Sequence, residues 1–266
     1  MEQNITLMSY NTRINSHRDG QYQLYPYRIS YVIEFLRDCG ADIIGLQEVQ
    51  PPTRRYLIDS LSAQYGIVGM GRNADYEGEA CCILYRKDKF DLLAYDTFWL
   101  SPTPGVSRSK PVAEPCPRVT TTVTLIPLEK SEGAVKPVRV YNTHLFHSPD
   151  EWLRAYGLYN NLERIRSDRE YADYPVIFMG DFNSTPQSLV LSALRKYPSV
   201  KLKDATAALG YTYHEYENPS LEKSKIDYIF TDLEYDPVSS RRVTLRREED
   251  GMFLSDHYPV KVDVLV

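Results

Sequence analysis

The sequence predicts an α/β (α+β) four-layer sandwich, in which two packed mixed β-sheets carry helices on their outer faces. Strand-like segments are numerous, and several follow one another through short turns. Amphipathic helical segments occur only between some of them, and no linker, low-complexity tract or repeat divides the 266 residues. Paired sheets bury their facing sides, and helices then cover the outward apolar faces. We therefore expect residues 1–266 to form one domain.

Strands are predicted wherever short apolar or alternating segments end at polar or turn-forming residues. In chain order they are 5–10, 42–48, 80–85, 90–100, 118–126, 138–144, 175–180, 225–231, 241–246 and 260–266. The segment before Gly180 is apolar without alternation, as in a buried strand, whereas Lys261 and Asp263 interrupt the last segment in the pattern of a half-exposed strand. So many strands exceed a singly wound parallel sheet, and we expect two sheets.

Helices are predicted at 27–39, 53–63, 149–169 and 186–196. The third has a capping box in Ser148 and Glu151, with a proline at the first helical position, and Thr185 with Pro186 repeats the device for the fourth. In the third helix, apolar residues recur three and four positions apart, which predicts one stripe packed on a sheet. The stripe is Trp152, Ala155, Tyr156, Tyr159, Leu162 and Ile165.

The charge balance limits the possible partners. A formal net charge of −5 disfavours a tight duplex DNA binder, since such proteins neutralise phosphates with a surplus of Lys and Arg. A small or single-stranded phosphoester stays allowed. The 22 tyrosines could stack on bases or could lie at the boundary of the core.

Cysteines and hydropathy indicate an intracellular chain. Cys39, Cys81, Cys82 and Cys116 have no zinc-ligand spacing and are interpreted as reduced structural thiols. There is no signal-peptide pattern after Met1 and no apolar run of the roughly 20 residues that a membrane span requires. We therefore predict a cytoplasmic protein with no membrane contact and no obligate protein partner.

Polar clusters follow or interrupt the predicted strands. They contain Asn11, Glu48, Thr143 with His144, Asp181 with Asn183, Asp227, and Asp256 with His257. One Asn or Asp after a strand is usually a turn former, but so many in one chain favour a shared site. Glu48 is the most informative, because a carboxylate ending an apolar run needs a cation or a donor; the alternative is an ion pair with Arg54 or Arg55.

In this order, the motifs QE, TH, GDFN, DYI and SDH resemble those of the endonuclease/exonuclease/phosphatase superfamily, whose members include pancreatic deoxyribonuclease and nocturnin-like deadenylases. The resemblance covers essentially the whole chain and is nearest to a bacterial branch related to nocturnin-like deadenylases. It implies a DNase I-like fold and divalent-metal-dependent hydrolysis of a phosphoester by in-line attack of an activated water.

The resemblance also implies a metal site. Glu48 is expected to coordinate Mg2+ or Mn2+, with Asn11 and Asp256 as further ligands. Oxygen ligands suit such hard cations.

The resemblance implies roles for the catalytic groups as well. His257 would polarise or deprotonate the attacking water, and Asp227 would hold its other ring nitrogen. Asp181 would position the nucleophile, while Asn183 and His144 would donate hydrogen bonds to the non-bridging oxygens. The alternatives are a strand-end histidine for His144, a turn residue for Asn183, and a surface partner of a lysine for Asp227.

Candidate substrate-binding residues complete the predicted site. Glu79 and Arg118 lie where related chains carry a Glu and an Arg, and Asn11 is counted with them as well as with the metal. His147 is open between the substrate edge and the helix entry. The loops 101–117 and 209–224 are long and rich in Pro, Tyr and Ser, which predicts functional loops over the site.

The predicted activity is hydrolysis of a phosphodiester, with RNA or another single-stranded nucleic acid as the substrate (3′–5′ exoribonuclease-like). The first alternative is a phosphatase for a small cytoplasmic phosphorylated metabolite. The non-enzyme alternative is a catalytically inactive phosphate-binding module. The sequence SKIDYIF disfavours the inositol phosphatase subclass, and Arg13 together with the TH motif disfavours apurinic endonucleases.

Overall fold

A computed structural model describes residues 3–16, 19–20, 28–128 and 136–266, and it contains twelve strands and four α-helices in these ranges. The strands are β1 Asn4–Asn11, β2 Ile43–Val49, β3 Tyr65–Val68, β4 Ala80–Arg86, β5 Phe90–Trp99, β6 Val119–Pro127, β7 Val138–His144, β8 Val176–Asp181, β9 Lys203–Asp204, β10 Asp227–Thr231, β11 Tyr235–Arg242 and β12 Val260–Leu265. The helices are α1 Ile29–Asp38, α2 Pro51–Leu61, α3 Glu151–Tyr171 and α4 Leu189–Lys196. None of the helices in these ranges is long and apolar enough to cross a membrane.

The strands form two mixed six-stranded sheets. Their orders are β11-β12-β1-β2-β4-β3 and β5-β6-β7-β8-β10-β9. Each sheet has one parallel pair near its centre, β1 with β2 in the first and β7 with β8 in the second. The other pairs are antiparallel. Both sheets are mixed, as predicted.

Three apolar clusters lie between successive layers. One contains Leu7, Ile43, Val140 and Ile177 and fills the space between the two sheets. The second joins α1 and α2 to the first sheet, and the third joins α3 and α4 to the second sheet. This order of helices, sheet, sheet and helices confirms the predicted four-layer sandwich.

The functional edge of the molecule follows from strand direction. The parallel strands β1, β2, β7 and β8 all end at this edge, and the antiparallel strands β10 and β12 begin there. Polar residues that follow or precede these strands are therefore brought to one rim of the sandwich. Asn142 of β7 links the sheets just below the rim, donating to the carbonyls of Leu46 (2.9 Å) and Cys82 (2.8 Å).

Several predicted boundaries are corrected. The α3 cap is Asp150, which accepts from the Trp152 amide, and not Ser148. Ser188 caps α4, so this helix begins after the predicted Thr185–Pro186 start. The structure places α2 at 51–61 rather than 53–63. Residue 27 of the first predicted helix lies outside the described residues.

Edge strands account for the larger errors. The predicted strand 241–246 is wrong beyond Arg242, because β11 occupies Tyr235–Arg242 and pairs with β12 across a register shift. The strands β3 and β9 were not predicted, and each lies at the end of its sheet. An edge strand buries little of its surface, so its sequence carries a weak apolar pattern.

The predicted apolar stripe of α3 is only half correct. Leu162 and Ile165 are buried against the second sheet, but Trp152 is 73% exposed and Tyr159 is 51% exposed. Leu158 is buried in their place, next to Gly157. Aromatic rings with polar atoms tolerate the helix surface, so spacing alone did not identify the packed face.

Gly180 allows β8 to lie against β7 immediately before Asp181. Its φ is +145°, and a Cβ there would lie 2.0 Å from the Thr143 carbonyl oxygen. We expect Gly180→Ala to lower the free energy of unfolding by about 2–4 kcal/mol, because both the backbone conformation and the space exclude a methyl group. Urea unfolding measures the loss, with Gly105→Ala, which meets nothing within 4 Å, as the control. Equal midpoints for the two variants would contradict this role of Gly180.

Candidate active site

The rim of the sandwich brings together the polar side chains that the sequence singled out. Asn11 ends β1, Glu48 lies near the end of β2, and Asp256 with His257 precedes β12. From the second sheet, His144 is paired with Asp181 across β7 and β8, and Asp181 with Asp227 across β8 and β10. A cleft of about 530 Å³ opens at this rim, lined by residues from both sheets. The lining includes Glu48, His144, Asp181, Asn183, Asp256 and His257.

Glu48 is placed by an irregularity of β2. Its φ is 62°, and the register between β2 and β4 shifts between Leu46 and Val49. Its Oε2 accepts a hydrogen bond from the Ile14 amide (2.7 Å), and its Oε1 accepts one from the Asn11 amide group (3.1 Å). Left-handed backbone is uncommon for glutamate and is often found at functional sites. Neither Arg54 nor Arg55 forms an ion pair with Glu48 among the described residues.

Asn11 joins carboxylates of the two sheets. Its Nδ2 donates to Glu48 Oε1 (3.1 Å) and to Asp181 Oδ2 (3.0 Å), while its Oδ1 accepts from the Arg13 amide (2.9 Å). One amide group is therefore shared by two carboxylates, which holds them close to each other.

Asp256 lies next to this pair. Its Oδ2 is 3.4 Å from the Arg13 guanidinium, and Arg13 is itself held by Asp19 through two hydrogen bonds of 3.0 and 2.9 Å. Ser255 donates to the Asn11 carbonyl (2.7 Å), fixing the segment before β12 against β1. Burial raises the pKa of the Asp256 carboxyl, and the negative charge of Glu48 adds to this effect. The positive charges of His257 and Arg13 lower this pKa, as the charge of a bound cation would.

His257 and Asp227 form a hydrogen-bonded pair. His257 Nδ1 lies 2.9 Å from Asp227 Oδ2, which also accepts from the Thr212 hydroxyl (2.6 Å). Burial on its own lowers the pKa of His257, but the carboxylates of Asp227, Asp256 and Asp181 together outweigh burial and raise the pKa to about 10. The alternative interpretation of Asp227, a surface ion pair with the lysine at position 225, is not seen, since Asp227 is fully buried and Lys225 contacts its backbone carbonyl at 3.5 Å.

Asp181 occupies the centre of the site. Its Oδ2 lies 3.4 Å from His144 Nε2 and 3.8 Å from His257 Nε2, and its Oδ1 accepts from the Asn183 amide (2.8 Å). Burial and the negative charge of Asp227 raise the pKa of the Asp181 carboxyl to about 7. This carboxyl is therefore poised between its two protonation states near neutral pH.

The remaining predicted donors are His144 and Asn183. Burial, together with the positive charges of Arg118 and Arg72, holds the pKa of His144 well below its usual range. A neutral imidazole keeps one N–H for donation. Asn183 has a φ of 47° and donates from Nδ2 to the Leu145 carbonyl (3.0 Å), so part of its amide group serves the turn.

The predicted substrate-binding residues fall into two positions. Arg118 and His147 line the cleft, a position that would allow substrate contacts. Glu79 lies in a small adjoining pocket beside Glu48, where two hydrogen-bonded contacts of 2.9 and 2.6 Å hold it to Arg72. Arg118 is 3.7 Å from the same carboxylate. Glu79 thus orients arginines at the back of the cleft.

The donor set fits a divalent cation. Glu48, Asp181 and Asp256 present carboxylate oxygens to one cleft, and oxygen ligands of this kind suit a hard divalent cation. Within the described residues, Asp181, Asp227 and His257 also have potential ligand atoms within 4.8 Å of one another. We regard that trio as a proton-transfer group, because the Nδ1 of His257 and the Oδ2 of Asp227 already bond to each other.

Sequence reasoning missed several residues of the site. Arg13 faces Asp256, the ring of Tyr213 lies 5.1 Å from that of His257, and Thr212 holds Asp227. Tyr213 and Thr212 belong to the loop 209–224, which was predicted to be functional without identifying these side chains. Arg13 lies two residues after Asn11, and this position was the only signal for it.

Comparison with known proteins agrees with the geometry. The model of the Endonuclease/Exonuclease/phosphatase family matches residues 8–257. The chain is 30% identical over 212 residues to 2′,5′-phosphodiesterase 12 of Homo sapiens, which covers 69% of this chain and 34% of that protein. The chain therefore spans about a third of the length of the curated relatives it matches.

Solved structures cover the whole fold. A crystal structure of an endonuclease/exonuclease/phosphatase from Bacteroides vulgatus has a TM-score of 0.84 and 28% identity, with 98% of each chain covered. A mannosyl-6-phosphatase of Bacteroides thetaiotaomicron has a TM-score of 0.80 and 25% identity, covering 98% of this chain and 100% of the other. The motifs, the DNase I-like architecture and these matches agree, and the chain belongs to the endonuclease/exonuclease/phosphatase family.

Proposed function

We propose that this protein is a Mg2+-dependent (or Mn2+-dependent) phosphodiesterase that hydrolyses RNA or another single-stranded nucleic acid. The supporting observation is the Asp181 carboxylate, which lies in a buried position between His144 and His257 and shares Asn11 with Glu48. The proposal treats residues 1–266 as one catalytic domain, because its site needs residues from both sheets. A cytoplasmic location is part of the proposal and is supported by four cysteines that form no disulfide.

Glu48 and Asp256 would hold the metal, with Asn11 setting the distance between Glu48 and Asp181. A bound Mg2+ would polarise a non-bridging oxygen of the phosphoryl group and neutralise charge that develops on it. Asn11 is less available as a metal ligand than expected, because its amide nitrogen and oxygen are both hydrogen-bonded in the protein. We therefore assign it chiefly to positioning the carboxylates.

Asp181 and His257 would share the proton chemistry. The attacking water would lie between Asp181 Oδ2 and His257 Nε2, which are 3.8 Å apart. With a pKa of about 7, Asp181 can accept the proton of this water, while His257 is held as an imidazolium by Asp227. This division refines the expectation that His257 itself deprotonates the water. The imidazolium would stabilise the negative charge of the pentacoordinate phosphorus.

His144 and Arg118 would bind the non-bridging oxygens. Both line the cleft beside Asp181, and the low pKa of His144 makes it a neutral donor. Arg118 is a stronger candidate than Asn183 for this role, because its contact with Glu79 is long at 3.7 Å and its Nε has no hydrogen-bond partner within the described ranges. Guanidinium groups bind phosphate with charge-assisted hydrogen bonds.

Nucleic acid is the favoured substrate because of the cleft and the relatives. The ring of Tyr213 lines the cleft next to His257, where a base or sugar next to the reacting phosphate could contact it. Relatives named 2′,5′-phosphodiesterase 12 are phosphodiesterases by name. This name supports the class of bond, and the linkage that this chain would cleave stays open.

A substrate panel tests the proposal. Purified protein with Mg2+ is expected to cleave single-stranded oligoribonucleotides, including 3′–5′ and 2′–5′ linked oligoadenylates, and chelation of the metal should abolish the reaction. Chromatography of the products distinguishes exonuclease from endonuclease action. Hydrolysis of small phosphomonoesters with no cleavage of any oligonucleotide would reject the phosphodiesterase.

A phosphatase for a small phosphorylated metabolite is the second candidate. It is favoured by the similarity to a mannosyl-6-phosphatase over the whole chain and by the net charge of −5. Hexose phosphates therefore belong in the same panel. Absence of any Mg2+-dependent hydrolysis, with phosphate binding retained, would instead support an inactive phosphate-binding module.

A further inference from the structure

The cleft extends beyond the residues that the proposed reaction uses. In addition to the carboxylates and histidines, its lining includes Ser148, Glu151 and Arg154 at the start of α3, and Ser184, Thr185 and Ser188 before and at the start of α4. A cleft of about 530 Å³ is of the size that holds a whole small ligand rather than one phosphoryl group. Part of the substrate other than the reacting phosphate should therefore lie against the two helices.

Arg154 is incompletely satisfied by the protein. Its side chain is only 14% exposed, and its Nε is buried without a hydrogen-bond partner in the part of the chain that the structure describes. The guanidinium contacts the Ser148 carbonyl and lies 3.5 Å from Glu151, whose side chain is 42% exposed. A partly exposed ion pair of this length contributes little, so Arg154 keeps charge and a donor for a ligand.

Ser184 is a second unsatisfied group in the same cleft. The residue is 3% exposed, and its Oγ is buried without a hydrogen-bond partner among residues 3–16, 19–20, 28–128 and 136–266. A buried hydroxyl without a partner costs free energy, which a ligand oxygen would recover. Ser184 precedes α4, and Ser188 caps that helix by accepting from the Leu191 amide. Ser188 also lines the cleft, so the N-terminal end of α4, which is the positive end of its dipole, adjoins the cleft.

We propose that Arg154 and Ser184 form a second anion-binding site in the cleft, which takes a second phosphate group carried by the same substrate molecule. The inference rests on the proposed function, because it assigns the reacting phosphoester to Asp181 and His257. No step of the proposed reaction requires Arg154. This residue lies on α3 and contacts none of the catalytic carboxylates in the described structure. His147, which also lines the cleft, would face the linking part of the substrate.

The second phosphate has two chemical sources, a neighbouring phosphate of a nucleic acid chain and a second phosphate of a sugar. Two matched pairs of substrates separate them: 5′-phosphorylated diuridylate against unphosphorylated diuridylate, and hexose 1,6-bisphosphate against hexose 6-phosphate. In wild-type protein with Mg2+, kcat/KM is expected to be about tenfold higher for the member with the extra phosphate, mainly through a lower KM. The pair that shows the preference identifies the source.

Variants of the second site test the assignment. In Arg154→Gln the preference for the extra phosphate should fall to less than about threefold, whereas Arg154→Lys should retain most of it because the charge stays. Ser184→Ala should reduce the preference to a smaller extent. Arg166→Gln is the matched control on the same helix, since Arg166 pairs with Glu163 and Glu170 away from the cleft, and its preference should equal that of wild type.

Equal kcat/KM within both substrate pairs in wild type would overturn the second site and leave the phosphoesterase intact. An unchanged preference in Arg154→Gln would also overturn it. If neither pair is hydrolysed, the oligonucleotide panel decides the proposed function, and calorimetric binding of the same four compounds decides the second site on its own. Tighter binding of the doubly charged member, lost in Arg154→Gln and kept in Arg166→Gln, supports it; equal binding overturns it.

Discussion

Replacing His257 with asparagine should lower kcat by about a thousandfold on the substrate that the protein cleaves, with a much smaller effect on the Mg2+ concentration required. The asparagine amide can still reach Asp227 from the position of Nδ1, but nothing then occupies the position of Nε2, which faces Asp181 at 3.8 Å. The change therefore removes the group nearest the proposed water and keeps the buried hydrogen bond. Steady-state kinetics over a range of Mg2+ concentrations measures both effects.

The choice of asparagine matters because Asp227 is fully buried. Its Oδ1 has no hydrogen-bond partner in the described structure, so an alanine at 257 would leave the carboxylate with Thr212 as its remaining side-chain donor. Breaking a buried charged pair in this way commonly costs about 3–5 kcal/mol of stability. Thermal unfolding of His257→Ala and His257→Asn separates loss of fold from loss of chemistry. A value of kcat for folded His257→Asn within threefold of wild type would remove His257 from the reaction.

Buried hydrogen bonds between the two sheets explain how residues of both sheets form one site. Asn142 of β7 donates to two carbonyls of the first sheet, and its own Oδ1 accepts from Gln47 (2.7 Å), the residue before Glu48. These buried bonds fix β7 and β8, which carry His144 and Asp181, relative to β2, which carries Glu48. Sliding one sheet on the other would break several of these hydrogen bonds at once. Such sliding is unfavourable, because buried polar groups are costly when they are unpaired. Rigid stacking of the sheets thus sets the geometry of the site.

The sequence could predict the strands whose burial in the fold matches the apolar pattern of their own residues. Central strands such as β8 are buried on both faces and are continuously apolar, so they were placed within one or two residues. The edge strand β11 is exposed along much of its length, and its sequence at Val238 and Ser239 carries no alternation that distinguishes it from a loop. Its true register depends on β12 and on a bulge, which are tertiary features.

The residues of the site also divide into those that the sequence could predict and those that it could not. Glu48, Asp181 and Asp256 could be predicted because each carboxylate adjoins a strand that would not bury it without a partner. The contribution of Arg13 could not, because it depends on a left-handed backbone (φ 59°) that turns its side chain back toward Asp256. The role of Tyr213 depends in the same way on the path of a long loop. Spacing in the sequence identifies groups at strand ends, but the groups that loops supply require the folded path of the chain.

Replacing Glu48 with glutamine should raise the Mg2+ concentration for half-maximal activity by about a hundredfold, at least as much as loss of an outer-shell partner costs a metal site. Glutamine keeps the size of the side chain and an oxygen that can accept from Ile14, so the backbone at this position is preserved. Two interactions are lost: the hydrogen bond from Asn11 Nδ2 to Oε1, because the glutamine amide turns a donor toward it, and a negative charge beside Asp256, whose carboxyl pKa is raised by burial and partly by that charge. Loss of this bond and relief of the charge repulsion oppose each other, so the metal-free variant should be about as stable as wild type.

The two expected effects, a higher Mg2+ requirement and an unchanged stability without the metal, distinguish a metal ligand from a structural carboxylate. Thermal unfolding with and without Mg2+ provides a readout independent of activity, since a cation that binds the native state raises Tm in proportion to its affinity. Wild type should be stabilised by Mg2+, and Glu48→Gln should lose most of that gain without a lower Tm in chelator. Glu79→Gln is the comparison, because Arg72 already occupies its carboxylate oxygens, and its Mg2+ requirement should change by less than about threefold. Identical Mg2+ affinities in wild type and Glu48→Gln would show that the cation binds elsewhere, and the carboxylates of the rim would then be only a hydrogen-bonded support for Asp181.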